Sequence, residues 1–246
     1  MNFLVCISKT PDTTAKISFS SDLKTFNSAG VQYILNPYDE WYALVRAIEL
    51  KEQLGGNVTV CNVGPQDNEQ IIRKALAIGA DDAVRIDSEP VSSMQVAYQI
   101  AQYAKDKNFD IIFLGKETID YNGSEVGAML AEYLDLPFIS YGSKLELNGN
   151  SATIERDIEG GTEILEVAVP FVVSAAKGMA EQRIPNMRGI MMAKTKLLQV
   201  IPASSFDIQT LVENYDLPKE KSSVKMIDPD NMKELVRLLH EEAKAI

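Results

Sequence analysis

The sequence predicts an α/β fold: a mostly parallel sheet with helices on both faces, continued by an antiparallel extension and a C-terminal arm. Three observations predict it. Short continuous apolar runs, such as residues 111–114, suit strands buried on both faces of a parallel sheet. Most are followed by apolar residues at helical spacing, with Gly or Pro at the joints, as at Gly55-Gly56, Gly64-Pro65 and Gly79. After Leu134 this alternation gives way to short strand-like runs separated by Asn148-Gly149 and Gly160-Gly161, both of them turn signals.

In chain order, residues 2–8 read as a first strand and the hydroxyl-rich residues 10–28 as a long loop or small hairpin. Asn36-Pro37-Tyr38-Asp39 introduces a helix, because Trp41, Leu44, Val45 and Ile48 share one face and Gly55-Gly56 stops it; Asp39 is a candidate N-cap. Asn57–Val63 is the next buried strand, and Asp67 opens a helix with Ile71, Ile72, Ala75 and Leu76 inward. Residues 83–86 and the helix 93–107, with Val96, Ala97, Ile100 and Ala104 on one face, form another unit. The strand 111–114 leads to a helix marked by Val126, Met129, Leu130, Tyr133 and Leu134. Such alternation implies right-handed crossovers between parallel strands.

The runs 138–141, 144–147, 152–157, 162–167 and 171–174 then read as the antiparallel extension. Residues 176–196 carry Lys177, Arg183, Arg188, Lys194 and Lys196 against Glu181 alone, and read as a solvated loop. From Leu197 the periodicity fades until Asp228, where a capped helix begins with Met232, Leu235, Val236 and Leu239 on one face. A loose stretch of roughly thirty residues is too long for an ordinary connection, so it reads as an arm whose apolar helix needs a surface to cover.

With 246 residues and 46% hydrophobic content, the chain can bury a sizeable core. A net charge of −11 argues against nucleic acid, whose phosphates would be repelled. Cys6 and Cys61 sit in apolar runs and read as buried, reduced thiols. His240 is the only histidine, which argues against a His-based triad or zinc site. The apolar runs are too short to span a bilayer, and Met1 leads into a strand without a signal peptide, so the expected location is cytoplasmic.

The stretch most informative about function is residues 109–134. Its loop, residues 115–123, turns the chain at the carboxyl end of a parallel strand, where open α/β sheets bind ligands. Gly115 and Gly123 allow close backbone approach, Ser124 is a candidate N-cap, and the following helix offers unpaired N–H groups. An anion is the natural guest. The loop is not of the Walker type, since Glu117 replaces the hydroxyl residue after Lys116 and Asp110 stands where the first glycine would be. On spacing alone, an ordinary βα turn explains it equally well.

Several motifs in order resemble the β subunit of electron transfer flavoproteins: VCISKTPDT at the start, NPYDE, VGP, IRKALAIGAD, GKETID with EVG, IERDIEGGTE with VPFVV, and EQR followed by GIMMAKTK. The match covers about residues 1–200. It implies a Rossmann-like, adenine-nucleotide-binding α/β domain over 1–200 and a C-terminal arm and helix over 201–246 that packs on a partner subunit. It also implies an electron carrier rather than a classical enzyme, with no catalytic residue of its own. The partner would be an α subunit carrying the redox-active FAD, and the β pocket would hold AMP or, in electron-bifurcating members, a second FAD. Electrons would come from flavoprotein dehydrogenases of the acyl-CoA dehydrogenase type.

Carried over onto this sequence, the nucleotide pocket comprises Cys6, Asn36, Pro37, Tyr38, Asp39, Val63, Gly64, Gly115, Lys116, Thr118, Ile119, Asp120, Gly123, Ser124, Glu125 and Val126. The segment 176–190, with Met179, Glu181 and Arg183, is similar to the family's partner-recognition loop, although Met179 replaces its leucine. Met192 and Thr195 also thin the family's lysine run. Glu163 corresponds to a glutamate that meets the α subunit. The small residues Gly123-Ser124 and the Val126-Gly127 pair are similar to members with a second FAD, whereas Tyr121 and Asn122 depart from them, so AMP and FAD both stand. A different class of function, a stand-alone adenine-nucleotide-binding regulator, would have no evident need of the arm.

Overall fold

The computed structural model describes residues 1–220 and 223–246. They form two compact units: one of Met1–Ile17 with Asn27–Glu213, the other of Ser18–Phe26 with Asn214–Ile246.

The first unit is built on a nine-stranded sheet. Its strands are β1 (Asn2–Cys6), β4 (Asn57–Val63), β5 (Asp82–Asp87), β6 (Ile111–Gly115), β7 (Phe138–Asn148), β8 (Ser151–Ile158), β9 (Gly161–Ala168), β10 (Phe171–Ala175) and β11 (Leu198–Pro202). Their order across the sheet is β11-β5-β4-β1-β6-β10-β7-β8-β9. Every pairing from β11 to β7 is parallel, and only β7–β8 and β8–β9 are antiparallel. A short antiparallel pair, β2 (Lys9–Pro11) with β3 (Tyr33–Leu35), stands apart.

Alternate residues of the central strands feed two cores, as a sheet covered on both faces requires. Phe3, Val5, Val58, Val60, Ile111, Phe113, Phe171 and Val173 point to one face, where α1 (Asp39–Leu54) supplies Leu44 and Ile48 and α2 (Glu69–Ile78) supplies Ile72 and Leu76. Leu4, Cys6, Cys61, Val63, Ile112, Leu114 and Val172 point to the other, against Ile100 of α3 (Ser93–Ala104) and Leu130 of α4 (Val126–Leu134). Chain connections leave β1 toward β4 and leave β6 toward β7, so the winding changes direction between β1 and β6. The crevice beyond their carboxyl ends is the ligand site of such sheets.

Four sequence expectations change. The run 171–174 is not part of the antiparallel extension: β10 inserts between β6 and β7, parallel to both, because Phe171–Ala175 is fully apolar or small and is buried throughout. The runs 138–141 and 144–147 are one strand with a register shift between Gly142 and Lys144. Residues 176–196 include a short helix, α5 (Met187–Ala193), capped when the Asn186 side chain accepts from Gly189 N. Beyond Leu197, β11 adds a parallel edge strand beside β5.

In the second unit, Phe19 and Phe26 form an antiparallel bridge and Phe19 stacks on Tyr215 at 4.7 Å. Its helix α6 (Met232–Glu241) is capped by the Asn231 side chain, which accepts from Glu234 N. The Arg237 guanidinium pairs with Glu234 and Glu241 across its exposed face. His240 is exposed.

Candidate nucleotide site

The crevice is organised by Asn36, which is fully buried. Its Nδ2 donates to the Glu117 carbonyl at 3.0 Å and its Oδ1 accepts from Ile119 N at 3.1 Å, so one side chain clamps the loop after β6 in two places. Lys116 N donates to the Ala175 carbonyl at 2.9 Å, tying the loop to β10. Within it, Asn122 N donates to the Thr118 carbonyl at 2.9 Å, and Asn122 and Ser124 take left-handed conformations, with φ of 51° and 54°. Ser124 does not cap α4. Its hydroxyl donates to Glu117 Oε2 at 3.3 Å, and the cap position is Glu125, whose side chain makes no cap hydrogen bond.

Gly115 and Gly123 differ in purpose. A Cβ on Gly115 would lie 2.8 Å from both the backbone N and the Cγ of Glu40, so this glycine lets β6 and α1 meet. At Gly123 the nearest atom to such a Cβ is 3.8 Å away, so the backbone there is open toward any ligand.

The electrostatics are dominated by carboxylates. Glu40, at the first turn of α1, is buried and accepts from Ser8 N at 2.7 Å and from the Ser8 hydroxyl. Burial pushes its pKa up to about 8, with Asp120 and Asp39 adding to the shift against the Ser8 hydrogen bonds. Asp39 rises to about 6, again mainly by burial, with Lys116 pulling it down and Glu117 up. Lys116 Nζ pairs with Glu117 at 2.8 Å, which lowers the Glu117 pKa and raises that of Lys116. Cys6 and Cys61 are free, buried and in register on neighbouring strands; burial raises both thiols, Cys61 to about 12.

Beside the loop lies a cavity of about 400 Å³. Pro37, Tyr38, Asp39, Lys116 and Ile119 line it, as does Glu117. Tyr42, Tyr141, Asp157, Ala176 and Lys177 complete it and were not anticipated. Tyr38 and Tyr141 both have positive φ, 65° and 59°, an uncommon conformation for a bulky residue. Lys116 Nζ sits 5.9 Å from the Tyr141 ring. The sequence signal for Tyr141 was the gap between the two strand runs, which is the irregularity at Gly142. For Glu40 it was a carboxylate on the Leu44–Ile48 face of an apolar helix.

The other expected pocket residues do not line this cavity. Cys6, Val63 and Gly64 lie at the carboxyl ends of β1 and β4, and Thr118, Asp120 and Gly123–Val126 form the far part of the loop and the start of α4. The residues suit a nucleotide: open backbone at Gly123, a lysine at the loop and tyrosine rings at the cavity. Among the described residues, no group of three or more His, Cys, Asp or Glu side chains is placed to hold a metal ion, and no helix is long and apolar enough to cross a membrane.

The expected partner-contacting residues are dispersed. Glu163 faces Arg156 across β8–β9 and pairs with its Nε at 2.5 Å. Met179 is 4% exposed, against Gly142 in the main core. Glu181 is exposed, and Arg183 forms a two-pronged pair with Glu52 at 2.7 and 3.0 Å. The apolar surface of this segment is instead Ile184 and Met187, continued by Met191 just beyond it, each more than 65% exposed.

Comparison with known proteins gives a consistent likeness. A family model described as "Electron transfer flavoprotein domain" matches residues 24–205. The "Electron transfer flavoprotein subunit beta" of Bacillus subtilis (strain 168) is 38% identical over 261 aligned positions covering 100% of both chains. The protein of the same name from Thermoanaerobacterium thermosaccharolyticum is 34% identical, covering 85% of this chain and 81% of that one. The Homo sapiens protein is 32% identical over 93% of this chain and 89% of its own.

Proposed function

Because this chain belongs to the electron transfer flavoprotein β-subunit family, we propose that it is the β half of a cytoplasmic heterodimeric electron carrier. An α subunit holds the redox-active FAD, and this chain holds an adenine nucleotide, AMP or a second FAD, in the β1/β6 crevice. The pair relays electrons from flavoprotein dehydrogenases of the acyl-CoA dehydrogenase type to a downstream acceptor. A bound flavin supplies the redox chemistry; the chain's own residues position and shield it.

The observation that carries the nucleotide part of this proposal is the Asn36 clamp. It spends a fully buried side chain on the shape of a loop whose tip, at Gly123, is open backbone before a helix N-terminus. In this proposal, Asn36 and Lys116 set the loop, Gly123–Val126 meet phosphate, and Cys6, Val63 and Gly64 lie beneath the base. Gly123-Ser124 and Val126-Gly127 support room for a diphosphate, and Tyr121, which departs from members with a second FAD, is 65% exposed; the small residues support a second FAD and NADH-driven bifurcation. Residues 201–246 serve as an arm packing on the α subunit, supported by the exposure of Leu211, Met226, Met232 and Val236.

The test is to co-purify the chain with its α subunit, denature the complex and identify what is released by mass. Two FAD per heterodimer supports bifurcation, one FAD with one AMP supports the plain carrier, and no adenine nucleotide overturns the proposal. Recovery of a nucleotide from a chain that binds no α subunit would favour a stand-alone regulator.

A further inference from the structure

We propose that Asn68 selects the base of the bound nucleotide by accepting a hydrogen bond from the 6-amino group of adenine. This rests on the adenine-nucleotide proposal above and adds a residue to it.

Asn68 ends the short 3-10 turn Gln66–Asn68 that follows β4, and it is 3% exposed. It packs on Gly64 so closely that a Cβ there would lie 1.9 Å from its Nδ2, which places the amide beside the carboxyl end of β4. Its orientation is fixed by a relay. The Ile7 carbonyl can only accept, so Asn62 must turn its Nδ2 toward it, at 2.8 Å. That leaves Asn62 Oδ1 facing Asn68, which must then offer its own Nδ2, at 3.0 Å. Both links are buried, and the first is anchored on backbone.

The relay leaves Asn68 Oδ1 as a buried acceptor with no hydrogen-bond partner. The residue takes helical φ and ψ of −69° and −13° where the turn runs into α2, so its oxygen makes no cap hydrogen bond to that helix. At the carboxyl end of β4, where the proposal above puts the base, a buried acceptor discriminates by chemistry. Adenine offers it N–H at position 6, whereas a purine bearing only hydrogen there leaves it unpaired. AMP and FAD share the adenine ring, so the assignment holds for either.

The test is isothermal titration of the full-length chain, freed of nucleotide, with AMP and with purine riboside 5′-monophosphate, which lacks only the 6-amino group. The unaltered chain is expected to prefer AMP by about tenfold to a hundredfold. Asn68→Leu, nearly isosteric, and Asn68→Ala, in case the first fails to fold, should bring the two affinities together by weakening AMP alone. An unchanged preference in a folded variant, or no preference in the unaltered chain, overturns the role of Asn68 while the nucleotide site stands. Binding of neither compound by the unaltered chain overturns the nucleotide site itself.

Discussion

Glu40 takes both hydrogen-bond donors of Ser8, the backbone N–H at 2.7 Å and the hydroxyl, and so ties the first turn of α1 to the chain leaving β1. The carboxyl is buried, with a pKa near 8 in the fold against an ordinary carboxylate value when unfolded. Between those values the folded chain holds more protons than the unfolded one. Stability therefore falls as pH rises, starting near the unfolded pKa and levelling once pH passes about 8. Thermal melts from pH 5 to 9 should show a midpoint falling by several degrees, partly from Asp39 below pH 7, and Glu40→Gln should flatten the upper part. A midpoint that rises over that range would contradict the assignment.

Removing the Asn36 clamp should loosen the loop without undoing the sheet. Asn36→Ala strands the Glu117 carbonyl and the Ile119 N–H and leaves a small cavity, for a cost of about 2–4 kcal/mol. Urea unfolding measures the stability, and amide hydrogen exchange at Ile119 the loop. Loss of stability with unchanged protection at Ile119 would mean that the side chain only fills space.

The two loop glycines should respond oppositely. Gly115→Ala forces a Cβ to within 2.8 Å of backbone in α1, which cannot yield as a side chain can, and should cost about 1–3 kcal/mol. Gly123→Val meets open space and should leave the melting midpoint nearly unchanged, while its bulk keeps a phosphate from the backbone. Nucleotide retained through gel filtration by the Gly123 variant would place the phosphate elsewhere.

Residues 201–246 expose Leu211, Val224, Met226 and Met232, each above 50%. Limited proteolysis of the chain alone should cut in this segment, and co-expression with an α subunit should protect it. Equal cleavage in both preparations would contradict a partner-covered arm.

The parallel core was legible because its strands are uninterrupted apolar runs and its helices repeat at helical spacing; Asn57–Val63 and Val126–Leu134 are found where the pattern put them. The placement of β10 was not legible. Strand composition reports burial, not neighbours, and Phe171–Ala175 follows a hairpin that makes continued antiparallel pairing the natural expectation. Ser124 misled because its type suits a cap, whereas the backbone conformation that takes its hydroxyl to Glu117 is set by the loop's own closure. Glycines and NPYDE marked the site; the buried charge of Glu40 and the cavity wall at Tyr141 depend on residues brought together from distant parts of the chain.

The insertion of β10 between β6 and β7 has a consequence for synthesis. When the ribosome has released β6, its outer edge stays unpaired while α4, β7 and the β8–β9 hairpin are made, because the strand that covers it is the last of that group. Lys116 N likewise waits for the Ala175 carbonyl. A chain arrested between residues 116 and 170 therefore carries an apolar strand edge open to other nascent chains, and it is in that interval that a chaperone has most to protect.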